Sequence, residues 1–138
     1  MIEVLYKLYI ERLKRGEEFN PILYVKKDDK IIMNFIPCDS SQEKKMFRDK
    51  LYEKTQKENI IQCCAVMIST AVHTLTKEKK YSFLLVECSR DGNNKSIIQF
   101  YEYDKNNKIK LLDFVTSDDF KSYWDIFKIP ETMHDCEN

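Results

Sequence analysis

Cys38, Asp39 and His73 are the residues whose types could support nucleophilic chemistry. A thiol becomes a nucleophile when a neighbouring imidazolium lowers its pKa, and a carboxylate can orient the imidazole. Cys38 follows Pro37 between a predicted strand and a predicted helix, and His73 lies in a polar loop after a later strand. We predict that both loops lie at the same end of one sheet. The alternative is that the two residues do not touch.

Glu87 ends the apolar run 84–86 and is a further candidate for chemistry. A carboxylate at the end of a buried strand can act as a general base or a metal ligand. A nuclease-like site would also need a lysine two residues later, where this chain has Ser89. The interpretation we favour is an ion pair between Glu87 and Arg90 or Lys95.

The sequence contains no cofactor or metal motif. Its two histidines, His73 and His134, and its five cysteines are dispersed, with no ligand pair on one turn or helix. The chain has only two glycines and no glycine-rich loop of the kind that binds phosphate. We therefore predict no cofactor and no metal, and we favour a non-catalytic protein over an enzyme.

A group of large aromatic residues near the C-terminus is the best candidate for binding a partner. Tyr123, Trp124 and Phe127 fall on one side of a predicted last helix, and such side chains anchor protein interfaces. The alternative is that this stripe covers an edge or a face of the protein's own sheet.

A second aromatic group, Phe100, Tyr101 and Tyr103, lies on one predicted strand. RNA-binding sheets stack bases on aromatic residues of this kind. That function would require Tyr101 and Tyr103 to be exposed beside lysines. Cross-strand packing explains the same residues, and we favour it because the second aromatic motif and the basic flanks are missing.

Charge, the length of apolar runs and cysteine content limit the partners and the cellular compartment that the sequence predicts. The 23 basic and 23 acidic side chains balance, which argues against nucleic acid and anionic membranes as partners. The longest apolar run, 63–68, is far shorter than the roughly 20 residues that span a bilayer. An odd number of cysteines without CxxC spacing indicates free thiols in a reducing compartment. We predict a cytoplasmic protein, and 19 lysines against 4 arginines suggest a bacterial or mobile-element origin.

Periodicity and turn residues predict the elements that would position these side chains. Gly16 supplies a stop to the first helix, and Ser40 with Glu43 forms a capping-box pattern before the second. The predicted helices are 2–15, 41–57 and a short last one between Ser117 and Pro130; the predicted strands are 22–25, 31–36, 60–72, 81–88, 96–103 and 109–115.

These elements predict one α+β domain over residues 1–130, followed by a polar, frayed tail at 131–138. The order α-β-β-α-β-β-β-β-α gives an antiparallel-rich sheet of five to six strands. We expect the first two helices on one face and the last helix at an edge or on the other face. The favoured function is a protein-binding or regulatory module, with self-association through sheet edges or the Trp124 helix as one route. The alternatives are a small enzyme using Cys38 or Glu87, and an RNA-binding sheet.

Overall fold

The computed structural model describes residues 1–73, 75–118 and 122–129. In these ranges it contains two helices and six strands, which follow one another in the order that the sequence predicts as far as the last strand. They are α1 (Ile2–Lys14), β1 (Ile22–Lys27), β2 (Lys30–Phe35), α2 (Ser41–Lys57), β3 (Ile60–Val72), β4 (Lys79–Ser89), β5 (Lys95–Tyr103) and β6 (Ile109–Ser117). The α+β class is confirmed, and four of the strands, β1, β4, β5 and β6, are one to three residues longer than predicted.

The six strands form one antiparallel sheet in the order β2-β1-β3-β4-β5-β6. The predicted antiparallel-rich sheet is confirmed, and β4, β5 and β6 are consecutive neighbours that form a meander. β2 and β3 both pair antiparallel with β1, so they run parallel to each other and their C-terminal ends lie at the same end of the sheet. The two outermost strands of the sheet are β2 and β6.

The central strand β3 is apolar on both faces and needs cover on both. Cys64 and Val66 pack with the buried stripe of α1, whereas Cys63 and Ala65 pack with Leu51 of α2. The helices therefore lie on opposite faces, and the prediction that both lie on one face is wrong. The pattern of β3 explains the difference, because two helices on one face would leave the other apolar row without a helix.

The ends of the helices agree with their sequence signals. Gly16 has φ +74°, and the N–H groups of Gly16 and Glu17 donate to Leu13 and Arg12 at 3.0 and 3.1 Å, which closes the C-terminus of α1. The Ser40 hydroxyl accepts from the Glu43 N–H at 3.1 Å and caps the N-terminus of α2. None of the helices in the described ranges is long and apolar enough to cross a bilayer.

Residues 122–129 form turns, so the predicted last helix is not found in this segment. The Ser122 hydroxyl accepts from the Trp124 N–H at 3.0 Å, and the Asp125 carboxylate accepts from the Phe127 N–H at 3.2 Å. Such local bonds from side chain to backbone compete with helix formation. Ser117, at which the range of the predicted last helix starts, is the last residue of β6. Pro130 and the predicted tail 131–138 lie outside the described residues.

Candidate functional site

The strand β2 is held in the sheet by a tight hairpin with β1. Its turn is Asp28 and Asp29, and Asp28 has a left-handed φ of 52°, which a short polar side chain tolerates. Asn59 binds this turn, because its amide donates to the Asp28 carboxylate at 2.8 Å and its carbonyl accepts from the Asp28 N–H at 3.2 Å. The hairpin is thereby fixed to the start of β3.

The backbone of β2 pairs with β1 on one side, and on the other side it has no neighbouring strand among the described residues. The Ile36 N–H donates to the Pro21 carbonyl at 2.9 Å, and the register between the strands is regular, without a bulge. Because the backbone groups of an antiparallel strand alternate in direction, those of Ile32 and Asn34 also point toward β1. Those of Ile31, Met33 and Phe35 point away, and no strand of the described ranges pairs with them.

The same three residues present apolar side chains to solvent. Ile31, Met33 and Phe35 share the face on which α1 lies, and they are 57, 54 and 63 % exposed. Ile32, on the opposite face, is 45 % exposed. Unpaired backbone groups and exposed apolar side chains therefore coincide along one strand. We name Ile31, Met33 and Phe35, with their outward backbone groups, the β2 edge.

The opposite edge, β6, is built differently. The register between β5 and β6 shifts between Gln99 and Tyr101, which marks a bulge. The buried Gln99 amide donates to the carbonyls of Leu112 and Asp113 on β6, at 2.7 and 3.3 Å. These side-chain bonds fix β6 at the bulge.

A buried histidine provides a second attachment for β6. His73, at the end of β3, reaches across the sheet face and hydrogen-bonds the Asp113 carboxylate through Nε2. Its ring packs edge-on against Phe100 with centroids 5.0 Å apart, and its Nδ1 bonds the Thr76 hydroxyl at 3.1 Å. β6 also has charged residues, Lys110 and Asp113, among its exposed apolar ones.

The structure does not bring Cys38 and His73 together as a catalytic pair. Both do lie at the same end of the sheet, as predicted, but both ring nitrogens of His73 are already bonded, to Thr76 and Asp113. The exposed Cys38 thiol donates to the carbonyl of Ile36 at 3.4 Å, and Asp39 is exposed. His73, the histidine within the described ranges, is therefore not placed to activate this thiol.

The other cysteines in the described ranges are core residues with free thiols, as the sequence predicts. Cys63, Cys64 and Cys88 are fully buried. Burial raises the pKa of the Cys64 thiol, and a hydrogen bond with Cys63 together with burial raises the pKa of the Cys88 thiol. A thiol with a raised pKa is a poor nucleophile at neutral pH. Cys136 lies outside the described residues.

Glu87 is buried and supports the fold at the start of α1. Its Oε1 accepts from the Ile2 N–H at 3.0 Å, a favourable place for a carboxylate because the first N–H groups of a helix have no partner within it. The predicted ion pair of Glu87 with Arg90 or Lys95 is not found in the described ranges. Lys95 pairs with Glu3 at 3.9 Å, and the Arg90 guanidinium donates to the carbonyls of Ile60 and Thr55 at 2.8 and 2.7 Å.

Residues that could hold a metal or cofactor are not grouped in the described ranges. No cluster of three or more histidine, cysteine, aspartate or glutamate side chains occurs there. A polar cleft of about 620 Å³ lies beside Glu87 and is lined by polar and charged side chains of both signs, including Asp91, Lys95 and Asp118. The carboxylate of Glu87 is already engaged by α1, as described above.

The aromatic residues of the C-terminal segment pack into the core. Tyr123 and Trp124 are 4 and 2 % exposed, and Phe127 is half-buried against the same cluster. Buried Arg48 of α2 holds this segment: its Nε donates to the Tyr123 carbonyl at 2.7 Å, and its Nη2 donates to the carbonyls of Asp125 and Lys128. In the structure this stripe covers the face of the sheet on which α2 lies.

The two tyrosines of the aromatic group on β5 differ in exposure, since one lies in the core and the other at the surface. Tyr101 is 2 % exposed, and its burial raises the pKa of its hydroxyl to about 12, whereas Tyr103 is 50 % exposed. The neighbouring Lys80 is paired with Glu102 at 3.3 Å. An RNA-binding sheet would need both tyrosines open beside unpaired lysines. Of the two tyrosines, Tyr103 is exposed and Tyr101 is buried.

The sequence alone does not single out the β2 edge. The available signal is the nearly continuous apolar run 31–36, which predicts an ordinary strand. A run of this kind indicates cover on both faces, or an edge that remains open. No protein-family model, no curated protein and no solved structure matches the chain.

Proposed function

We propose that the chain is a non-catalytic protein-interaction module that adds an extended protein strand to its sheet along the β2 edge. The supporting observation is the coincidence at Ile31, Met33 and Phe35 of outward backbone groups and exposed apolar side chains. In recognition by strand addition, main-chain hydrogen bonds supply affinity and alternate side chains supply specificity. The β2 edge offers both on the same three residues.

Hydrogen bonds within the fold also favour binding over catalysis, because they occupy the side chains of Cys38, His73 and Glu87. His73 and Glu87 are hydrogen-bonded within the fold, and the Cys38 thiol donates to the Ile36 carbonyl, with no imidazole of the described ranges placed beside it. A small enzyme built on these residues would need at least one of them to be free and activated. The β2 edge needs no rearrangement to receive a strand.

A synthetic peptide of residues 26–37 tests this proposal, because it contains an apolar strand and charged residues that keep it in solution. The protein is labelled with ¹⁵N and studied by NMR at high dilution. We expect saturable shift changes in the amides of Ile31, Met33 and Phe35. A scrambled peptide of equal composition should produce none. The proposal fails if the changes lie on β6, or if neither peptide produces them.

Two variants of the protein provide matched controls. Met33→Lys places a charge in the middle of the β2 edge and should abolish peptide binding. Phe114→Lys makes the same chemical change on β6, at a side chain that is 59 % exposed, and should leave peptide binding unchanged. Equal losses in both variants would mean that hydrophobicity in general, and not the β2 edge, binds the peptide.

A further inference from the structure

We infer that the strand received by the β2 edge is β2 of a second copy of this chain, paired antiparallel about a two-fold axis at Met33. This inference rests on the proposed function and names its partner. The symmetric arrangement joins the two sheets edge to edge into one continuous sheet of twice six strands.

The spacing of the outward residues is self-complementary. With Met33 opposite Met33 of the second copy, Ile31 of each copy lies opposite Phe35 of the other. Outward-pointing residues that oppose one another exchange two backbone hydrogen bonds per pair, so three pairs form about six bonds. Every outward N–H and C=O of the β2 edge then has a partner.

The neighbouring registers pair fewer of the outward residues within the strand. Moving the two-fold axis to Ile32 places Phe35 opposite Asp29 in the turn of the second copy. Moving it to Asn34 places Ile31 opposite Pro37, which has no N–H to donate. Only the register centred on Met33 pairs all three outward residues within the strand.

Side chains agree with this pairing. In an antiparallel pair, opposed residues lie on the same face of the sheet, so Ile31 packs beside Phe35 of the other copy and the two Met33 side chains meet at the axis. Residues 31–35 contain no charge, so no like charges oppose one another along the shared strand. The same face would gain one continuous apolar strip across both copies.

The second edge of the sheet explains why pairing would stop at two copies. β2 of one molecule joined to β6 of the next would leave free edges at both ends and would grow into a fibre. β6 discourages that contact, because bulges and charged residues protect edges and β6 has both. Pairing of β2 with β2 leaves only β6 edges exposed.

The exposed area sets the strength of association. Three large side chains that are each slightly more than half exposed leave roughly 300 Å² of apolar surface per copy, a size typical of the largest patch on a monomer. Two copies would bury on the order of 600 Å² from these side chains, which with the backbone remains below the roughly 1,200 Å² of a stable complex. We therefore expect a reversible dimer with a dissociation constant on the order of micromolar.

Sedimentation equilibrium of the full chain measures this association. The mass should rise with concentration from 16.6 kDa toward twice that value and then stop rising. Met33→Lys, which brings two ammonium groups together at the axis, should weaken the dimer at least about tenfold. Phe114→Lys should change the dissociation constant by less than about twofold. A monomer at every concentration would overturn the inference, as would a dimer that only Phe114→Lys weakens.

Cysteine cross-linking measures the register independently. In a chain with Cys38→Ser and Cys136→Ser, the remaining thiols are buried. Met33→Cys should form a disulfide-linked dimer, because Cα atoms of a hydrogen-bonded pair lie about 5.5 Å apart. Ile31→Cys alone should not, since its two copies are roughly 14 Å apart along the strand. A mixture of Ile31→Cys and Phe35→Cys chains should cross-link.

The outcomes separate this inference from the proposed function. If the protein remains monomeric but binds the 26–37 peptide at the β2 edge, self-pairing is wrong and strand addition stands. If it neither dimerises nor binds the peptide, both are wrong. If Ile31→Cys alone cross-links as well as Met33→Cys, the two-fold axis does not lie at Met33 and the register is wrong.

Discussion

β2 and β6 end the same sheet, but they differ in regularity and in charge. β2 is a regular strand with no charge between residues 31 and 35, and its outward residues have apolar side chains. β6 is bulged against its neighbour, contains Lys110 and Asp113, and is held by two side chains, Gln99 and His73. Edge strands are ordinarily protected against pairing. The difference indicates that protection was built on one edge and not on the other.

The largest expected effect is on the protected edge, at Gln99. Gln99→Leu removes the amide that donates to the carbonyls of Phe100 and Leu112, and it removes the acceptor of the Tyr6 hydroxyl at 2.5 Å. Unsatisfied buried groups cost about 1–3 kcal/mol each, so we expect unfolding free energy to fall by about 3 kcal/mol. Urea denaturation measures it.

Gln56→Leu is the matched control for that experiment. Gln56 lies exposed on α2, so the same chemical change should alter the unfolding free energy by less than about 0.5 kcal/mol. If Gln99→Leu were as mild as Gln56→Leu, the amide of Gln99 would not be what fixes β6.

The second effect concerns His73. His73→Ala removes a buried ring from Phe100 and the bond to Asp113, and it should lower the unfolding free energy by about 2 kcal/mol. In a double-mutant cycle with Asp113→Ala, we expect a coupling energy of about 1 kcal/mol. A coupling energy near zero would show that the histidine stabilises the fold only by packing.

The smallest effect is expected on the unprotected edge. Met33→Gln, measured at high dilution so that association does not contribute, should change the unfolding free energy by less than about 0.5 kcal/mol, because the side chain is mostly exposed. A loss as large as that of Gln99→Leu would mean that Met33 stabilises the monomer and is not available for binding.

Much of the fold was predictable because its signals are local. Apolar spacing indicated α1, α2 and the six strands, Gly16 and Ser40 marked helix ends, and the apolar residues on both faces of β3 indicate cover on both sides. The side of the sheet chosen by α2 was not predictable in this way. It depends on which of the two apolar rows of β3 is left uncovered by α1, and this is decided only when the helix packs on the assembled sheet.

The candidate site was less predictable because exposure depends on strand order. The run 31–36 has the composition of a buried strand, and nothing within it shows that β2 ends the sheet. Arg48 illustrates the converse, since it lies in a densely charged helix yet is buried and binds three carbonyls of the C-terminal segment. Ser122 and Asp125 turn that segment away from a helix through bonds that its apolar spacing does not reveal.

Amide hydrogen exchange along β2, at low and at high protein concentration, tests the central claim most directly. At high dilution the amides of Ile31, Met33 and Phe35 should exchange rapidly, while those of Ile32, Asn34 and Ile36 should be protected by β1. At high concentration the first three should become protected as the second copy binds. Equal protection of all six at high dilution, or rapid exchange of Ile31, Met33 and Phe35 at every concentration, would contradict the account.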